Sequence, residues 1–96
     1  MNRILIIRET DFGGKKDALM YIAEALNFPP YFGNNLDALF DCLCDINETT
    51  NIAVDPIPGE ESKHWYKSIY KVLLDAAMKN KNIKVFGAVH VDAENK

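Results

Sequence analysis

At 96 residues, 48% hydrophobic and 26% charged, the chain has the make-up of one ordinary globular domain, 1–96, with room for a single modest core. No stretch reaches the ~20 apolar residues that span a bilayer, and Arg8 and Glu9 follow the N-terminal apolar run where a cleavage site would stand, so a cytoplasmic protein is expected. The formal net charge is only −3, yet between Asp17 and Ser62 there are nine acids and no Lys or Arg. That argues against nucleic acid as a partner of this segment, because phosphates need basic side chains, and it reads either as chance clustering on a solvated surface or as an acidic face that steers and holds a basic partner.

Ile4-Leu5-Ile6-Ile7, enclosed by Arg3 and Arg8, reads as a strand buried on both faces, the kind found in parallel sheets. Thr10 to Gly14 is a turn; Gly13-Gly14 lacks the Gly-Lys-Ser/Thr ending of a phosphate loop. From Lys15, the spacing of Leu19, Ile22, Ala23 and Leu26 predicts an amphipathic helix. Asn27 is its expected stop, and Pro29-Pro30 forbids continuation.

After the loop Tyr31-Phe32-Gly33, Asn34 or Asn35 supplies the cap of a second helix with Leu36, Leu39, Phe40 and Leu43 on one side. Thr50 to Val54 is a second, β-branched strand, and Asp55 to Gly59 a stiff loop. A third helix, about Ser62 to Lys79, faces Trp65, Ile69, Val72, Leu73 and Ala76 inward, with Lys79 and Lys81 near its C-terminal dipole end. Ile83 to Val89 is the last strand, and the polar tail from Asp92 is expected to fray. Strands separated by helices pair in parallel with right-handed crossovers. The expected class is therefore α/β, a three-stranded parallel sheet packed with about three helices; periodicity leaves the strand order open.

On the second helix, Asp37, Asp41 and Asp45 recur at i, i+4 and i+8, opposite the apolar arc. Like charges at that spacing cost each pair roughly 0.2–0.5 kcal/mol in an isolated helix. Asp37 recovers some of this in the first turn, whereas Asp45 lies near the wrong end of the dipole, and no Lys stands at i±4. Local helix energetics thus do not account for the stripe. Either solvent screening makes the penalty negligible, or the carboxylates serve a strongly positive partner. Cys42 and Cys44 point nearly opposite ways on a helix and read as one core thiol and one surface or interface thiol rather than a redox or metal pair. No Cys-x-x-Cys or His-rich cluster is present, and no metal or cofactor is expected.

Pro29-Pro30-Tyr31-Phe32-Gly33-Asn34-Asn35-Leu36-Asp37-Ala38-Leu39-Phe40-Asp41-Cys42-Leu43 resembles the signature of the barstar family, Pro-x-Tyr-aromatic-Gly-x-Asn-Leu-Asp-Ala-Leu-aromatic-Asp-Cys-Leu. The resemblance implies a barstar-like fold and a non-enzymatic function: intracellular inhibition of a basic, extracellular-type ribonuclease, whose active site the second helix and preceding loop enter. It implies partner contacts at Tyr31, Gly33, Asn35, Asp37, Ala38, Phe40, Asp41, Cys44, Asp45, Ile46 and Asp75. Asp37 and Asp41 match the family aspartates that meet the enzyme's arginines and histidine, with Asp41 at a phosphate position. A ribonuclease gathers cationic donors for its transition state, and carboxylates fixed on a helix satisfy them without offering a bond to cleave.

There are departures. Phe40 replaces a family tryptophan, and Asp45-Ile46 stand where the best-known member has glycine and tryptophan. The extra acid suggests a partner with another basic residue there, or a different partner. Several residues have two readings: Asp75 as an interface acid or as half of an i,i+4 pair with Lys71, and Phe40 as contact or core. Phe32 and Trp65 read as core, Tyr31 as exposed. His64 and His90 have no catalytic neighbours in the pattern, and Lys63, Lys67 and Lys71 form a solvated stripe. Two rival functions stand beside the inhibitor. One is a general interaction module. The other is a metal-dependent enzyme using Asp37 and Asp41, weakened by the lack of a third ligand or pocket.

Overall fold

The computed structural model describes residues 2–29 and 33–87; Tyr31, Phe32, the end of the last expected strand, His90 and the tail from Asp92 lie outside them. In chain order come β1 (Arg3–Arg8), α1 (Lys15–Ala25), α2 (Leu36–Cys44), β2 (Thr50–Asp55), α3 (His64–Lys79) and β3 (Ile83–Gly87), with one-turn 3-10 segments at Glu9–Asp11 and Gly59–Glu61. The strands form one parallel sheet in the order β1-β2-β3, with Thr50 opposite Arg3 on one side and Ile83 on the other. The expected α/β architecture is present, and the strand order, open from sequence, is sequential with β2 at the centre.

Alternation along the strands sends Leu5, Ile7, Ile52, Val54 and Ile83 to one face, where they join Leu19 and Ile22 of α1, Leu39 and Leu43 of α2, and Ile69 and Leu73 of α3 in one core. All three helices cover that face. The expectation that β1 is buried on both faces therefore fails: Ile4 is 78% and Ile6 41% exposed, and Phe86 of β3 is exposed on the same side. A continuous apolar run carries no alternation from which to read one-sided cover.

Helix ends follow local chemistry. Asn27 adopts the left-handed conformation at φ 59°, its N–H donates to Glu24 O at 3.3 Å, and the Phe28 N–H donates to Ala23 O at 2.8 Å. This is the double closure by which a left-handed residue satisfies the last carbonyls of a helix, and it places the stop at the expected residue. The third helix starts at His64 rather than Ser62, after the 3-10 turn. Trp65 packs half-buried against the core, but the fully buried aromatic is Tyr66. Its hydroxyl donates to Ile7 O and accepts the Asp55 N–H at 3.0 Å, tying α3 to the ends of β1 and β2. Burial pushes the Tyr66 phenol up to about 12, although the Asp55 N–H works the other way.

Glu9, just beyond β1, is buried. Its carboxylate accepts the Ile57 N–H at 2.9 Å, the Ser62 hydroxyl at 2.8 Å and the Lys63 N–H, so one side chain fastens the whole β2–α3 connection. Burial alone would raise its pKa, but the Lys63 and Ile57 N–H groups, the Ser62 hydroxyl and the Lys63 charge outweigh burial and hold the carboxyl below its ordinary value.

Candidate functional site

The site is built on α2. Asn35 is the N-cap: in extended conformation, it accepts the Ala38 N–H on its side-chain Oδ1 at 2.8 Å. Of the two asparagines open as caps, Asn35 does this. A Cβ at Gly33 would come within 2.9 Å of the Asn35 amide nitrogen, so Gly33 leaves the cap room to fold back. Of the expected contact residues in this stretch, Gly33, Asn35 and Ala38 thus shape the helix start, while Tyr31 lies outside the described residues.

At the other end, Asn80 supplies what α2 lacks. Its buried side-chain amide donates to the carbonyls of Leu43 and Ile46, each at 2.9 Å, and of Cys44 at 3.3 Å. The Asn82 amide adds a bond to Ile46 O at 3.1 Å. A helix end leaves carbonyls without intrahelical partners; here the α3–β3 turn satisfies them. These asparagines have no local signal that points at α2, since the contact spans 37 residues, and the sequence reading misses them.

Between the fastened ends, Asp37, Asp41 and Asp45 are all exposed, and none of them forms an ion pair among the described residues. By contrast Arg3 takes Glu48 at 2.6 Å, Arg8 takes Asp55 at 3.6 Å and Lys71 takes Asp75 at 3.3 Å. Asp37, Asp41 and Asp75 nevertheless line one open cleft of about 540 Å³ between α2 and α3, with Leu36, Phe40 and Val72. Asp75 pairs with Lys71 and also faces this cleft. Phe40 likewise packs against the core and lines the cleft wall.

Asp41 also borders a second cleft, of about 520 Å³, on the opposite flank of α2. Asp45, Ile46 and Cys42 line it together with the α1–α2 loop. Asp45 is the C-cap residue of α2, and the Ile46 side chain packs half-buried against the core. Cys44 and Cys42 are both half-buried and free rather than one in the core and one at the surface. Burial pushes both thiols up, and the Asp41 and Asp45 charges push them further, with Lys79 opposing slightly at Cys44. Such thiols stay protonated and weakly nucleophilic near neutral pH.

Among the described residues, no group of three or more His, Cys, Asp or Glu side chains comes together to hold a metal ion, and no helix is long and apolar enough to cross a membrane. His64 is exposed at the start of α3, beside exposed Lys63 and Lys67. What α2 offers is a fixed row of carboxylates flanked by two clefts, able to accept hydrogen bonds from cationic donors. A search of curated proteins found no match. A family model described as barstar, the barnase inhibitor, matches residues 2–87. With every described residue inside that match, the protein belongs to the barstar family.

Proposed function

We propose that this chain, acting as a single domain in the cytoplasm, inhibits a basic ribonuclease of the secreted, barnase-like kind by covering its active site with α2 and the preceding loop. The observation that carries this reading is that Asp37, Asp41 and Asp45 stand exposed and form no ion pair among the described residues, on a helix capped by Asn35 at its start and by Asn80 at its end. Carboxylates so placed gain little from their own fold and are preorganised for another molecule's charge. Asp41 takes the place of an RNA phosphate among the enzyme's cationic donors, Asp37 and Asp75 meet a neighbouring base across the first cleft, and Tyr31, Gly33, Asn35, Ala38, Phe40, Cys44, Asp45 and Ile46 complete the covered surface. Ribonuclease activity of barnase measured against increasing inhibitor tests this. Stoichiometric inhibition that persists in chelator, with association slowed by salt, is expected. Undiminished RNA cleavage at excess inhibitor refutes it for barnase-like enzymes.

A further inference from the structure

The face of the sheet away from the helices is open among the described residues, yet much of it is composed like an interior. Strand register sets its side chains in three rows: Ile4, Asn51 and Lys84; Ile6, Ala53 and Phe86; Arg8 and Asp55. Ile4, Ile6 and Phe86 are exposed there. Sheet faces left to water ordinarily carry polar residues, and all-parallel sheets are almost always covered on both sides. The uninterrupted apolar run of β1 is therefore satisfied on one side only, and the proposed inhibitory surface makes no use of the other.

We infer that this face is a self-association surface, closed by the same face of a second copy of the chain. Its pattern complements itself under a two-fold axis that crosses the strands. Turned end over end, the row of Ile6, Ala53 and Phe86 lies on its own copy, and Ile4 lies under the aliphatic stem of the other copy's Arg8. The charges also match. Lys84 forms no ion pair among the described residues, and Asp55 meets Arg8 only at 3.6 Å, beyond good hydrogen-bond length. The same turn sets Lys84 one strand away from the other copy's Asp55, across the ~10 Å that separates packed sheets, and symmetry makes that contact twice. Three strands of five or six residues make a face roughly 20 Å by 15 Å. Closed on itself, such a face buries on the order of 1,000 Å², the lower bound for a specific interface, so the dimer is weak and reversible. All three helices pack on the opposite face, so each acidic row points outward and the dimer presents two inhibitory surfaces. The inference stands apart from the ribonuclease reading.

Sedimentation equilibrium of the full chain, from about 10 μM to about 1 mM, brackets the affinity of so small an interface. The mass should rise from that of one chain toward that of two. Ile4→Lys, which sets a charge against the other copy's Arg8, should hold the chain at monomer mass, with its circular dichroism unchanged. Lys84→Gln should weaken association about fivefold, as two exposed pairs would. Met78→Lys, at an 85% exposed apolar residue of α3, should leave it unchanged. In a half-labelled sample, isotope-filtered contacts should join the Phe86 rings of the two copies. Dimers that survive Ile4→Lys, or that Met78→Lys disrupts, overturn the inference. So does monomer mass throughout, and shielding of the Ile4 methyls from a soluble paramagnetic probe would then give the cover to residues 88–96 of the same chain.

Discussion

Asn80 donates its side-chain amide to the Leu43 carbonyl at 2.9 Å, so the last turn of the acidic helix is finished by the residue that caps the end of α3. The same nitrogen also serves Ile46 and Cys44, and the Asn80 Oδ1 accepts the Asn82 N–H at 3.0 Å. One buried amide therefore sets where Asp45 and Ile46 stand.

Asn80→Ala takes this donor from all three carbonyls in a place with little access to water, leaving Leu43 O with the Ile46 N–H and Ile46 O with the Asn82 amide. Leaving buried polar groups unpaired costs about 1–3 kcal/mol each, with some recovery as the turn loosens, and a loss of about 2–4 kcal/mol is expected in urea denaturation. Amide exchange at Ile46 and Asn47 should quicken along with it.

Asp41→Ala should separate binding from folding. Inhibition is expected to weaken by more than ~2 kcal/mol, the usual hot-spot threshold, which was drawn in part from the barnase–barstar pair itself. The isolated chain should keep or slightly raise its melting temperature, because like-charge pairs with Asp37 and Asp45 are relieved. A variant that loses both inhibition and thermal stability would mean that Asp41 is part of the fold rather than a contact.

Glu9 gives the fold an acid limit. Its folded pKa lies below the ordinary 4.5, so its contribution is present above that value and disappears as pH falls through the folded pKa. In Glu9→Gln the carbonyl oxygen still accepts, but the amide nitrogen opposes the Lys63 N–H. A loss of about 1–3 kcal/mol at neutral pH is expected, and the variant's stability should change less than the parent's between pH 5 and pH 3, followed by far-UV circular dichroism.

Tyr66 sets a corresponding limit in alkali. Its phenol is raised from 10 to about 12, so its share of stability is complete below pH 10 and is lost as pH rises toward 12. Tyr66→Phe should cost about 1–2 kcal/mol by leaving the Ile7 carbonyl and Asp55 N–H unpaired. It should also remove an ionisation near pH 12 from an ultraviolet absorbance titration.

The uncovered side of the sheet predicts a contrast between neighbours. Ile4→Thr should change stability by no more than about 0.5 kcal/mol, whereas Leu5→Ala, one residue along in the same strand, should cost about 2–5 kcal/mol. Equal losses would mean that both faces of β1 are packed.

These residues also show what can be read from sequence and what cannot. α2 is legible almost completely, because its apolar arc, N-cap and acidic stripe are all local patterns, and Asn35, Leu39, Leu43 and the aspartates stand where periodicity puts them. β1 is legible as a strand but not as a one-sided one, since Ile4 to Ile7 are apolar without interruption and burial there depends on where the helices go. Trp65 attracts attention by composition, yet Tyr66 is the buried partner, because the phase of α3 against the sheet is a tertiary choice. Asn80, Asn82 and Glu9 work across long sequence separations, which no window of neighbouring residues contains. That Asp75 pairs with Lys71 and lines a cleft with Asp37 and Asp41 depends on how α3 packs against α2, which no local pattern gives.

α2 is only nine residues long, shorter than the ~12–15 at which isolated helices become even marginally stable in water, and part of its closure comes from chain 36 residues away. A synthetic segment spanning Gly33 to Ile46 would accordingly carry every aspartate of the row and still be a coil in solution, with its charges scattered. The acidic surface belongs to the assembled molecule, and whatever unfolds the sheet disarms it.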